Sequence, residues 1–188
     1  FQFRRDRLIG DSQVQTDSVN VAALELTDAS GRTGLGFLQS LFTPLPRQAE
    51  LERIFTLEIW PGLDGRLPAE LAHRVARPRG GNLRPAGIPA HEAVQVALWD
   101  LYAKQMDLPL WRLLGASRNR LPAYASGLDF HLSDVEFTEF FGRADAAGYR
   151  AFKIKVGHPD LDRDLHRLDL LRQTVRPDAV VMVDANEA

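Results

Sequence analysis

The sequence contains no cysteine. That excludes disulfides, thiolate metal centres and cysteine nucleophiles, and it suits a reducing cytoplasm, the expected location. It lacks any apolar run of membrane-spanning length, so no membrane partner is expected. Neither sign of charge is in excess: Lys and Arg number 23 against 25 Asp and Glu, a net −2 at pH 7. No global field therefore draws the chain to nucleic acid. Methionine occurs twice and never at the start, and Phe1–Gln2–Phe3–Arg4–Arg5 carries no signal-peptide pattern. With an abrupt stop at Ala188, both ends read as cut. Internal repeats and low-complexity tracts are missing too. What remains is ordinary for a globular protein. The chain has 188 residues, 45% hydrophobic and 26% charged, enough for one large domain or two small ones.

Residues 1–18 read as polar and irregular, with Ile9–Gly10–Asp11–Ser12 as a turn or loop. Val19, Val21, Ala23, Leu24 and Leu26 mark a strand. A turn at Thr27–Gly31 and a second strand from Thr33 make a hairpin. Gly31, Gly34 and Gly36 do not follow a strand and open a helix, so they are no phosphate-binding loop. Leu51, Ile54 and Phe55 predict a helix over 47–58, broken at Trp60–Pro61–Gly62. Pro68 suits the first turn of a short helix carrying Leu71 and Val75. Arg74, Arg77, Arg79 and Arg84 surround Gly80–Gly81 and read as a solvated loop, with a grip on an anionic ligand as the alternative. From His91 to Lys104, Ala93, Val94, Ala97, Leu98, Leu101 and Tyr102 form a broad apolar stripe, read as core.

After Gly115 the texture becomes strand, helix, strand, helix, strand. Pro122–Ser126 is a short strand. Ser133 and Glu136 form a capping box that opens a helix with Val135, Phe137, Phe140, Phe141 and Ala144 as its apolar positions. Ala151–Gly157 is the next strand. Pro159 and Asp160 open a helix whose inner side is expected to carry Leu161, Leu165, Leu168 and Val175. Ala179–Asp184 is nearly continuous in apolar residues, the pattern of a parallel strand buried on both faces.

The middle strand carries the chemistry. Side chains alternate along a strand, so Lys153 and Lys155 share one face while Phe152, Ile154 and Val156 pack on the other. Two neighbouring ammonium groups repel, and repulsion lowers a lysine pKa toward that of a usable base. The competing reading is an edge strand with a solvated lysine face. On the following strand Asp184 and Asn186 share a face, at the C-terminal end where parallel α/β folds place their chemistry. A carboxylate there suits a hard cation such as Mg²⁺, and Asn186 can orient a substrate oxygen. Glu187 has the opposite parity and reads as a helix-start residue. For Asp184 the plain alternative is a helix N-cap.

The ordered set Lys153–Ile154–Lys155 and Asp184–Ala185–Asn186 resembles the mandelate racemase and muconate lactonizing enzyme branch of the enolase superfamily. Ala97–Leu98–Trp99–Asp100–Leu101, Leu108–Pro109–Leu110 and Leu113–Leu114–Gly115 are similar to that family's helix leading into the barrel. The resemblance runs from about Val19 to Ala188. It implies an α+β capping domain over residues 1–118, followed over 119–188 by the first strands and helices of a modified TIM (β/α) barrel, incomplete in this chain. It implies that Mg²⁺ binds the substrate carboxylate, that a base removes the proton on the adjacent carbon, and that the metal stabilises the enolate. Lys155 matches the base. Lys153 matches the residue that contacts the carboxylate and depresses its neighbour's pKa. Asp184 matches the first of three metal ligands, and Asn186 a substrate-facing position. Two further acidic ligands and a second acid or base are expected on later strands, so the 188 residues alone are expected to be inactive. Dehydration of a sugar acid is the first expected reaction. Racemisation or epimerisation comes second and cycloisomerisation third, with a non-catalytic anion-binding module as the rival class. The expected partners are a small carboxylate substrate and further copies of the chain, through cap and barrel surfaces. Loops at Ile9–Ser12 and Leu38–Phe42 are expected to cover the pocket.

Overall fold

The computed structural model of the protein describes residues 1–40, 44–72 and 90–186. The arginine cluster Arg74–Arg84, Val75, the Leu41–Phe42 part of the second loop and Glu187 lie outside the described residues. The chain divides into two compact units, Phe1–Phe3 with Asn20–Asn119, and Arg4–Val19 with Arg120–Ala188.

Three strands, β1 (Gln2–Gly10), β2 (Gln15–Thr27) and β3 (Thr33–Ser40), form a sheet in that order. β2 and β3 pair antiparallel, with Thr27 opposite Thr33. Asp28 holds their turn, accepting the backbone N–H groups of Ser30 and Arg32. β1 corrects the reading of residues 1–18 as irregular. Its Phe3 and Leu8 are exposed, so no burial alternation marks the strand, and main-chain pairing defines it instead. The turn expected at Ile9–Ser12 starts later, because Ile9 and Gly10 still belong to β1: it spans Asp11–Val14, where the Asp11 carboxylate accepts from the N–H groups of Gln13 and Val14.

In the first unit, α1 (Gln48–Ile54) continues through a π-helical turn at Phe55–Ile59 and a 3₁₀ turn at Trp60–Gly62. α2 (Pro68–Leu71) starts on its proline, as expected. α3 (Ala90–Gln105) buries the predicted stripe, with Val94, Ala97, Leu98 and Leu101 packed on Leu26, Ile54 and Leu71. Gly34 and Gly36 permit this helix to approach β3. A Cβ on Gly34 would run into the Ala97 carbonyl and Leu101, and one on Gly36 into the Ala93 carbonyl. Asp100 ties the two elements, accepting from the Leu35 N–H at 2.9 Å and the Lys104 ammonium at 2.8 Å. α4 (Leu110–Leu113) follows.

The second unit holds β4 (Ala125–Ser126), α5 (Asp134–Ala146), β5 (Ala151–Lys155), α6 (Leu161–Thr174) and β6 (Val180–Asp184). The strands run parallel in the order β4-β5-β6. The capping box is present: Ser133 Oγ accepts the Glu136 N–H, and the Glu136 carboxylate accepts the Ser133 N–H. Phe137, Phe141, Phe152, Ile154 and Leu171 are fully buried together.

Three expectations about faces fail. Val135 is exposed on α5. On α6, Leu161 and Leu165 are 66% and 49% exposed, and the inward face is Asp164, Arg167, Leu171 and Val175. The helix turns this way because charged partners await Asp164 and Arg167 inside, which hydrophobicity alone does not reveal. β6 is not buried on both faces. It is the outer strand of the described sheet, and its Val180 and Val183 are exposed.

Candidate active site

β5 lies between β4 and β6, so its lysines do not form a solvated edge. Strand parity puts Phe152 and Ile154 into the apolar core and Lys153 and Lys155 on the other face. The parallel register sets Lys155 against Asp184 and Lys153 against Met182. One oxygen of Asp184, Oδ2, accepts from both ammonium groups, at 2.9 Å from Lys153 and 2.8 Å from Lys155. Asn186 Oδ1 also accepts from the Lys155 ammonium. The Asn186 backbone N–H donates to Asp184 Oδ1 at 3.1 Å. Its φ of +50° is left-handed, a conformation that asparagine tolerates better than most residues. The four residues selected from the sequence therefore meet at one place. Lys155 is 4% exposed, while Lys153 and Asp184 keep more contact with solvent.

The Asp184 carboxyl is held well below the usual carboxylate range by hydrogen bonds from Lys155 and then Lys153. The Lys153 pKa is raised, chiefly by its hydrogen bond to Asp184, against the lowering effect of burial. The expected lowering by mutual repulsion thus fails at Lys153, because an anion stands between the two cations. Tyr124 was not anticipated. Its ring lies 5.3 Å from the Lys153 ammonium, a cation–π contact.

A second polar group sits beside the end of β5. Asp129 is fully buried and its carboxylate accepts from Arg167 Nη2 at 2.6 Å. It also accepts the Lys155 backbone N–H at 3.3 Å. Asp164 Oδ2 accepts the N–H groups of Gly157 and His158 at 2.8 and 3.0 Å. Asp129 and Arg167 are 38 residues apart, so no local spacing announces them. The one local signal is two charges, Asp164 and Arg167, three apart in α6.

For a divalent metal, Asp184 offers a hard carboxylate oxygen at the strand end, the right donor type for Mg²⁺. Among the described residues, no group of three or more His, Asp or Glu is placed to hold a metal. Asp184 thus matches such an ion in donor type.

Residues 12–115 match the family model for the mandelate racemase / muconate lactonizing enzyme N-terminal domain, and residues 136–188 match the enolase C-terminal domain-like model. The chain is 32% identical over 183 residues to a 3,6-anhydro-alpha-L-galactonate cycloisomerase of Streptomyces coelicolor, covering 91% of this chain and 50% of that one. The crystal structure of a mandelate racemase-like protein from Mesorhizobium loti superposes with a TM-score of 0.90 at 59% identity, over 99% of this chain and 48% of that one. An L-talarate dehydratase from Polaromonas sp. JS666, complexed with Mg and L-glucarate, superposes with a TM-score of 0.76 at 27% identity, over 98% and 52%. The chain spans about half the length of these relatives.

Proposed function

This chain belongs to the mandelate racemase and muconate lactonizing enzyme family of the enolase superfamily, and from that premise we propose that its protein removes the proton α to a substrate carboxylate, as an acid-sugar dehydratase. The observation that carries the reading is the meeting of Lys153, Lys155, Asp184 and Asn186 at the C-terminal ends of β5 and β6. Residues 1–118 are read as the capping domain and 119–188 as the first β/α units of the barrel.

Lys155 is the base: the α C–H bond breaks and an N–H bond forms at its Nζ. Its Nζ is buried and held at the strand ends by Asp184 and Asn186, which is where a base must stand to reach the substrate. Lys153, whose ammonium pairs with Asp184 at 2.9 Å, bonds a substrate carboxylate oxygen. Asn186 orients a substrate polar group through its amide. Asp184 is one ligand of a Mg²⁺ ion, which when bound would supply Lewis-acid polarisation of the substrate carboxylate. The substrate is a small sugar or hydroxy acid, and the protein acts as a homo-oligomer in the cytoplasm. Support for a sugar acid comes from the L-glucarate of the Polaromonas complex and from the anhydro-galactonate of the Streptomyces relative. The latter favours cycloisomerisation as the second reading, ahead of racemisation or epimerisation, and all of them share the first proton transfer.

The test is incubation of the full-length protein with aldonates and aldarates in D₂O containing Mg²⁺. Deuterium at the α carbon, or a dehydrated product, is expected with at least one acid and is absent in Lys155→Ala. Tight binding of an acid with no exchange anywhere in the panel would favour an anion-binding module instead.

A further inference from the structure

α6 turns Leu161 and Leu165 outward and Asp164 and Arg167 inward. Burying a carboxylate and a guanidinium carries a large desolvation cost, and an apolar pair of similar size would hold a core at least as well. What sets the pair apart is what it bonds. Asp164 holds the backbone just past Lys155, and Arg167, whose guanidinium lies over the Phe137 ring at 4.4 Å, holds Asp129, which bonds the Lys155 N–H. Arg167 Nη2 donates to Asp129 Oδ2 at 2.6 Å and to the Asp129 carbonyl at 2.9 Å, and Nη1 donates to the Leu132 carbonyl at 3.4 Å. The Asp129 carboxylate in turn accepts the backbone N–H of Lys155. One helical turn earlier, Asp164 accepts the N–H groups of Gly157 and His158, just past the strand. α6 thus grips the chain at Lys155 through Asp129, and again two and three residues later. The loop after β4 is fixed from another side as well. Arg7 donates to the Gly127 carbonyl at 2.9 Å, and the Gly10 N–H donates to the Leu128 carbonyl. Between them Leu128 is held at φ +49°, a left-handed conformation that surroundings must impose on a leucine.

We propose that the buried Asp129–Arg167 pair is a positioning device: it fixes the end of β5 and so aims the Lys155 amine at Asp184 and Asn186. Asp129 and Arg167 are positioning residues and touch no reacting atom. Arg167 Nη2 bonds both the carboxylate and the carbonyl of Asp129, and Nη1 the Leu132 carbonyl, so the direction of Asp129 is set as well as its distance. That direction passes to Lys155 through its own N–H. The kinetic consequence rests on the proposed role of Lys155 as base.

The experiment compares Arg167→Met with Arg176→Met in the full-length protein. The second variant breaks the Arg176–Asp145 pair, at 2.7 Å, between the end of α6 and α5. Thermal melts first establish a temperature at which each variant is folded. On the best acid of the D₂O panel, Arg167→Met is expected to lower kcat by about tenfold or more with KM little changed, as misplacement of a reacting group does. Arg176→Met lowers the melting temperature and leaves kcat alone. The second readout needs no substrate: trace acetylation of lysines, read by mass spectrometry. Lys155 acetylation is expected to rise several-fold in folded Arg167→Met and to stay at the wild-type rate in Arg176→Met. Unchanged kcat, or unchanged Lys155 acetylation, in folded Arg167→Met overturns the proposal. If the wild type exchanges no acid, the proposed function falls and the acetylation result alone decides this inference. If Arg167→Met does not fold, the neutral pair Asp129→Asn with Arg167→Gln replaces it under the same criteria. It removes both charges, so neither is left buried and unpaired.

Discussion

Asp184 holds two cations on one oxygen atom, and its removal would leave Lys155 buried beside a second ammonium. Asp184→Asn is therefore expected to lower stability by about 1–3 kcal/mol, the range between an exposed and a buried broken pair. Urea denaturation at neutral pH measures it, and an unchanged midpoint would show that the bridge contributes nothing. A second carboxylate reports on pH. Asp134 receives hydrogen bonds from Arg163 and then His166, and its pKa falls from 3.8 to about 2. Because the folded value lies below the unfolded one, the stabilisation is complete above pH 4 and disappears as pH falls toward 2. Asp134→Asn should flatten the melting-temperature profile over that acid window.

At the scale of elements, close approach and face choice decide more than propensity does. α3 lies on β3 because Gly34 and Gly36 lack side chains where the helix backbone passes. Gly36→Ala puts a methyl against the Ala93 carbonyl, and a loss of about 1–3 kcal/mol is expected from such overpacking. The same substitution at Gly31, whose Cβ would meet nothing, separates crowding from the backbone strain of its positive φ. α5 depends on its first turn. Ser133→Ala removes the side-chain half of the capping box and should cost about 1 kcal/mol in chemical denaturation. α6 shows the limit of pattern reading. Leu161, Leu165 and Leu168 make a plausible apolar stripe, yet two of the three face water. The face actually buried includes a carboxylate and a guanidinium, whose partners are a distant aspartate and two backbone N–H groups.

For the whole molecule, each of the two units has its own apolar core. Phe141 sits in the second, fully buried against Phe137 and Phe152. Phe141→Ala is expected to cost about 3–5 kcal/mol in equilibrium unfolding, whereas Val135→Ala on the exposed side of the same helix should change it by less than about 0.5 kcal/mol. Much of the architecture was already legible in one dimension. The hairpin of β2 and β3, the capped α5 and the alternation of β5 follow from spacings of two to four residues, which strand and helix geometry convert directly into faces. By itself the sequence determined that Lys153 and Lys155 share a side, since parity along a strand is local, whereas Asn186 lies past the end of β6 in a left-handed turn that parity does not reach. Only the tertiary structure decided that Asp184 lies between the two ammonium groups, which reverses the expected direction at Lys153. It alone brought Asp129 to the main-chain N–H of Lys155, held by an arginine 38 residues further along than Asp129. Strand register and helix rotation are set by long-range partners, and a charge is affordable inside only where such a partner waits for it.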